Sequence, residues 1–408
     1  MGSSKNAVTV SNELRIVLLM CLAEVLSMTG FAAYPAFLAT LRDNWSLSNS
    51  EAGLIGGAFF AGYMAAVPVL SSLTDRLDAR RIHICSCLLA GVGTVLFALL
   101  AEGVVTAALF QALIGAGLGG TYMPGLKALT DRVGGARQGR YIAFYTATFG
   151  IGTSLSLLLA GWLGSLFTWR WTFALLASGP ATAATLIFRG LRPQLPIAVG
   201  ERQVLKRMGE VLRDHSVRGY ILGYFAHCWE LFGLRSWMVA FLVFSYGLAR
   251  TSQPLLSPTE AAAAINLLGL PASILGNEAA GRLGRARYVT LVMMASGSLA
   301  WLAGFSSGWP WWVIILILAL YLITVMADSA ALTAGLVAAT PAANRGSAMA
   351  VYSFLGFGGG FVAPMVFGAV LDGAGGKVNP QAWGFAFASL GAGCLLLSLI
   401  ARFKKPSG

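Results

Sequence analysis

The chain has 408 residues, 57% of them hydrophobic and only 11% Asp, Glu, Lys or Arg, against about 45–50% and 25% in soluble domains. With 28 basic and 16 acidic side chains it cannot keep a globular surface of this size hydrated, so lipid must face most of it. The net charge of +12 does not point to nucleic acid, because the basic residues sit in short loops and no basic helix, finger motif or stacking platform accompanies them.

Apolar runs long enough to cross a bilayer lie near 14–38, 52–72, 82–101, 104–126, 141–165, 171–189, 219–244, 260–279, 288–305, 311–337, 347–370 and 382–401. They predict an all-α membrane protein with twelve transmembrane helices. The first run is too long for a signal-peptide core and follows a polar leader whose only basic residue is Lys5, so it is expected to stay as an uncleaved span. Cys21, Cys85, Cys87, Cys228 and Cys394 all fall in apolar runs, where a thiol acts as a small hydrophobe; no disulfide framework, zinc site or other metal site is expected. Glycine clusters inside spans, Gly115-Ala-Gly117-Leu-Gly119-Gly120 and Gly356-Phe-Gly358-Gly359-Gly360, follow no strand and read as close helix packing rather than phosphate loops.

The stretch from Arg189 to Arg218 is polar, and Val204, Leu205, Met208, Val211 and Leu212 recur in it at helical spacing, the pattern of an amphipathic helix on a membrane surface. It divides the chain into an N-terminal six-helix bundle over 1–188, a cytoplasmic linker over 189–218 and a C-terminal six-helix bundle over 219–408. If the N-terminus is cytoplasmic, 23 of the 28 basic residues lie on the inner side, and only Arg42, Arg170, Arg250 and Lys377 lie outside. That asymmetry predicts both termini inside. Trp45, Trp169, Trp171, Trp309, Trp311 and Trp312 then form a belt at the outer ends of spans.

The two halves repeat. Ser48-Asn-Ser-Glu51-Ala52 recurs as Ser257-Pro-Thr-Glu260-Ala261, each a capping box opening a helix. Thr74-Asp-Arg76-Leu77 is matched by Ala280-Gly-Arg282-Leu283, 206 positions on, and Gly139, Ala143, Tyr145 and Thr146 by Gly346, Ala350, Tyr352 and Ser353, 207 positions on. Parallel repeats of six spans imply a pseudo-two-fold axis along the membrane normal and a site at midplane between the halves.

These features resemble the major facilitator superfamily over essentially the whole chain. Its loop between spans two and three reads Gly-x-x-x-Asp-Arg-x-Gly-Arg-Arg; Asp75, Arg76 and Arg80 stand at matching positions, while Ser71 and Asp78 replace the glycines. The second copy keeps Arg282, Leu283, Gly284 and Arg285, with Gly281 where the acid would stand. The fourth span carries Gln111 where the family often has Arg, and Ser154 and Leu155 stand where drug exporters carry Gly-Pro. The resemblance implies alternating access by rocking halves, with spans one, four, seven and ten lining the cavity.

An ionisable group near the bilayer centre costs about 2.5–3.5 kcal/mol on insertion scales, which marks it as a functional candidate. Glu24 in span one, its repeat partner Glu230 in span seven and Asp328 in span ten are candidate proton carriers; the alternative is an acid that ties helices together. His227 shares a helix face with Glu230, so a direct hydrogen bond between them is expected to be feasible. Arg235, about 140° round the helix from Glu230, needs a partner elsewhere. An anionic substrate would suit its planar fork; snorkelling to headgroups is the alternative. Trp229 and Trp237 could stack on a substrate or simply pack, and Gln111 and Tyr34 join them as candidate lining residues. Asp75, Arg76, Arg80, Arg282 and Arg285 read as a cytoplasmic gate, or as topogenic charges.

The sequence thus predicts a proton-coupled secondary transporter of a small organic anion in the inner (plasma) membrane, monomeric and without cofactor. Rival readings are proton-driven export of a hydrophobic or cationic compound, and a transport-inactive sensor or assembly factor. Nucleophile, base and orienter do not occur together as an enzyme would need.

Overall fold

The computed structural model describes residues 2–194, 211, 213–249, 255–341 and 344–400. Within them the chain is helical and no strand occurs, as expected where a lipid-facing backbone must satisfy its own hydrogen bonds. The amphipathic helix expected in the linker falls on 195–210 and 212, outside the described residues.

The helices are α1 (Gly2–Ser27), α2 (Ala33–Asn44), α3 (Asn49–Leu73), α4 (Ala79–Leu100), α5 (Val104–Gly119), α6 (Tyr122–Thr130), α7 (Gln138–Leu166), α8 (Trp169–Leu176) and α9 (Ser178–Gly190) before the linker. After it come α10 (His215–Ala249), α11 (Pro258–Leu267), α12 (Gly269–Leu283), α13 (Arg285–Gly304), α14 (Trp311–Ala327), α15 (Ser329–Ala339), α16 (Arg345–Gly373) and α17 (Pro380–Ile400). Among the described residues nine helices, counting consecutive segments such as Val104–Thr130 and Trp311–Ala339 as one, are long and apolar enough to cross a membrane. The chain forms two compact units, Met1–Tyr34 with Gly62–Gly200, and Pro35–Ala61 with Glu201–Gly408.

Several expected spans are interrupted, which hydropathy alone does not show. The first breaks between α1 and α2, and polar side chains take up the freed backbone groups. Ser156 Oγ accepts the Ala32 N–H at 2.9 Å and donates to the Thr29 carbonyl at 2.7 Å, while Thr29 Oγ1 donates to the Leu176 carbonyl at 2.8 Å. The fourth breaks at Gly120 and Thr121, and the tenth at Asp328. Thr121 and Asp328 are 207 residues apart, so the two breaks are repeat-related.

Glycines set the closest helix approaches, as the clusters predicted. In the first unit a Cβ at Gly62 would overlap the Ala112 carbonyl, and one at Gly117 the backbone of Ala90. In the second, Gly53, Gly57 and Gly368 bring α3 and α16 so close that a Cβ at any of them would overlap the Pro364, Phe361 or Asn49 carbonyl. Such contact replaces the hydrophobic drive that lipid does not supply. Both capping boxes form: Glu51 and Glu260 carboxylates accept the Ser48 and Ser257 N–H groups at 2.8 Å each, and the serine hydroxyls accept in return.

Candidate functional site

Each unit buries one polar cluster around a carboxyl group. In the first, α1 places Glu24 fully out of solvent. Tyr145 of α7 donates to its Oε2 at 3.0 Å, and Thr121, in the break between α5 and α6, donates to its Oε1 at 3.4 Å. Because the helix is interrupted there, the Thr121 carbonyl is reachable from the side. It accepts from His83 Nδ1 of α4 at 3.1 Å and lies 3.1 Å from Tyr145 Oη, as an alternative acceptor for that hydroxyl's one hydrogen. A carbonyl only accepts, so Nδ1 carries the hydrogen, and His83 Nε2 is buried without a partner. Gly125 gives this cluster its room: a Cβ there would overlap the Tyr145 hydroxyl.

In the second unit α10 carries His227, Glu230 and Arg235. His227 does not pair with Glu230, as the shared helix face suggested; its Nδ1 meets Asp328 Oδ1 at 2.7 Å, both side chains buried. The interruption between α14 and α15 turns Asp328 toward α10, so a tertiary contact outcompetes the one along the helix. The His227 ring stacks on Tyr224, which stacks on Tyr352 at 3.8 Å, and Tyr352 Oη shares a hydrogen with Thr333 at 3.0 Å. Glu230 turns to α13, where Ser296 donates to Oε2 at 2.7 Å. Its Oε1 and the hydroxyl of Tyr321 are both buried with no other partner, and a hydrogen-bond interaction couples Tyr321 to the Glu230 carboxyl. Arg235 donates from Nε to Asn266 Oδ1 at 2.9 Å, and Asn266 is itself fixed by donating to the Ala262 carbonyl at 2.8 Å.

Of the remaining lining candidates, Trp229 is half-buried with its indole N–H unpartnered, beside Gly393. Trp237 is not available to a ligand. It is enclosed by Phe367 and Trp383, and its N–H is spent on the Pro364 carbonyl at 3.0 Å. Tyr34 is buried edge-on to Phe97, and Gln111 is buried in α5.

The Major Facilitator Superfamily model matches residues 20–317, well over half of the chain. The chain belongs to this superfamily. It is therefore a multi-pass membrane protein of a superfamily of transporters, which are not enzymes. An uncharacterized MFS-type transporter of Mycobacterium tuberculosis is 30% identical over 135 residues, 33% of this chain and 18% of that one. The niacin transporter NiaP of Acinetobacter baylyi is 22% identical over 176 residues, 43% of this chain and 39% of that one. The chain thus spans less than half the length of these curated relatives. The crystal structure of a bacterial homolog to the human lysosomal transporter Spinster, inward-facing and unoccupied, shares the fold with a TM-score of 0.75 at 16% identity, covering 96% of this chain and 95% of that one.

In this superfamily member the loop before α4 is organised by a residue the motif did not single out. Asp78 caps α4 by accepting the Arg80 N–H at 3.0 Å, accepts the Gln194 N–H at 2.9 Å and pairs with Arg132 at 3.2 Å. Burial works to raise its pKa, but the Gln194, Arg80 and Arg132 hydrogen bonds outweigh it and hold the carboxyl below its ordinary range. Arg80 donates to the Phe188 carbonyl at 2.6 Å and lies over that ring. Asp75, half-buried, makes no ion pair among the described residues; Arg76 and Arg282 are exposed, and Arg285 is half-buried with its Nε unpartnered. In the second unit Asp372 of α16 accepts four hydrogen bonds of 2.6–3.0 Å from the backbone and side chains of Asn49 and Ser50, the start of α3. Arg42 braces Asn49 at 2.8 Å, and Lys377 pairs with Asp43.

Proposed function

We propose that this transporter is proton-coupled and moves a small organic anion of carboxylate type across the inner (plasma) membrane by alternating access. Twelve spans form two six-helix halves, 1–188 and 219–408, joined by the cytoplasmic linker 189–218, with both termini cytoplasmic and the protein monomeric. The observation that carries the anion reading is the held arginine: Asn266 fixes the Arg235 guanidinium at Nε within α10, so the plane of the fork has a defined direction, and a carboxylate is the anion that matches it. A relative named for niacin, itself a carboxylate, supports the same class. His227, Trp229, Gln111 and Tyr34 complete the proposed lining; Glu24, Glu230 and Asp328 are the proton-coupling acids; Asp75, Arg76, Arg80, Arg282 and Arg285 belong to the cytoplasmic gate.

The test is a thermal-shift screen of the purified full chain against niacin and other carboxylates, inorganic anions and lipophilic cations, because a ligand bound to the folded state raises its melting temperature. A carboxylate is expected to give the largest rise. Preference for lipophilic cations would overturn the anion reading in favour of an exporter.

A further inference from the structure

Glu24 is surrounded by hydroxyl groups that each have a second acceptor in reach. Tyr145 Oη lies 3.0 Å from Glu24 Oε2 and 3.1 Å from the Thr121 carbonyl oxygen. Thr121 Oγ1 lies 3.4 Å from Glu24 Oε1 and 3.0 Å from the Leu118 carbonyl oxygen. A hydroxyl has one hydrogen to give and can also accept, whereas a carbonyl only accepts. The same heavy-atom positions therefore serve two protonation states.

With Glu24 ionised, both hydroxyls point at the carboxylate. With Glu24 protonated, its O–H donates to Tyr145 Oη, whose own hydrogen turns to the Thr121 carbonyl, or to Thr121 Oγ1, whose hydrogen turns to Leu118. The Thr121 carbonyl tolerates either arrangement because Gly125 N–H at 2.8 Å and His83 Nδ1 at 3.1 Å also reach it. Glu230 is held differently: Ser296 can switch between its Oε2 at 2.7 Å and the Met293 carbonyl at 3.1 Å, and Tyr321 and Cys394 interact with the same carboxyl group.

We infer that Tyr145 and Thr121 are positioning residues that let Glu24 gain and lose its proton in place, by rotation of two hydroxyl hydrogens, with His83 securing the carbonyl between them. This rests on the proton-coupling reading and narrows it. Glu24 gives its proton to a water molecule of the transport path and becomes a carboxylate, and recovers one from hydronium. The titratable groups facing Glu24 are Cys21 on its own helix, Tyr63 of α3, His83 and Cys87 of α4, Tyr122 of α6 and Tyr145 of α7. The buried face of α9 adds only Gly179, Pro180, Ala183, Ala184 and Ile187. No Lys or Arg stands among them, so hydrogen bonds are what hold the ionised form.

The test is an infrared pH titration of the full chain in lipid, with Glu24→Gln to identify the carboxyl band. A band absent from Glu24→Gln is expected to pass from acid to carboxylate as pH rises. Tyr145→Phe should move the half-conversion point up by about one pH unit, tenfold in proton affinity, and Thr121→Val in the same direction by less, with Thr121→Ser matching the parent. Half-conversion unmoved in both hydroxyl-deleting variants overturns the inference and leaves proton coupling standing. A Glu24 carboxyl that does not titrate between about pH 4 and 10 overturns both. The parent alone gives a further reading: its protonated band must have the frequency of a hydrogen-bonded acid, and the frequency of a free acid overturns the inference whether or not any variant folds.

Discussion

Arg235 separates two accounts of a membrane arginine. A snorkelling cation needs only charge and reach, whereas a ligand fork needs its plane held, and Asn266 holds it at 2.9 Å. Arg235→Lys should therefore weaken the best carboxylate found by thermal shift by roughly 10- to 150-fold, the loss of a charge-assisted hydrogen bond. Unchanged calorimetric affinity would return the residue to the lipid interface. Asp78 allows a second prediction at this scale. Its folded pKa is depressed, so its contribution to stability is present above the unfolded value of about 4 and is lost as pH falls through the folded value. Asp78→Asn should lower the apparent melting temperature at neutral pH, with the gap to the parent closing below about pH 3; a gap of constant size would mean that the charge is irrelevant.

Among the helices, the glycine contacts predict opposite signs for one substitution. Gly117→Ala places a methyl group into the backbone of Ala90 and should destabilise by about 1–3 kcal/mol. Gly139→Ala, with open space around it inside α7, should be neutral or stabilise by up to about 1 kcal/mol. Equal effects on unfolding would refute the packing account. The apolar runs and glycine clusters were legible because membrane helices require length and close approach. The interruptions at Thr121 and Asp328 were not, since a break inside an apolar run leaves hydropathy unchanged. Those breaks decide the polar clusters: they turn Asp328 to His227 and present a backbone carbonyl to His83 and Tyr145. Tyr145 entered the sequence reading only as a repeat match. His83 had no side-chain partner to betray it, and Asp78 stood where the resembling motif has glycine.

For the whole molecule, the charge asymmetry makes a topological prediction. Single cysteines at Arg81 and Arg345 should be labelled from the cytoplasmic side, and ones at Asn44 and Gly376 from outside. Labelling of Arg81 and Arg345 from opposite faces would break the six-plus-six repeat.

The central claim is that carboxylate and proton move together. Its most direct measurement uses proteoliposomes containing a trapped pH indicator, with the strongest thermal-shift carboxylate added outside and protein-free vesicles run in parallel to subtract passive entry of the neutral acid. The account predicts protein-dependent acidification of the lumen that Glu24→Gln abolishes. Carboxylate uptake with no change in lumenal pH, or with alkalinisation, would contradict it.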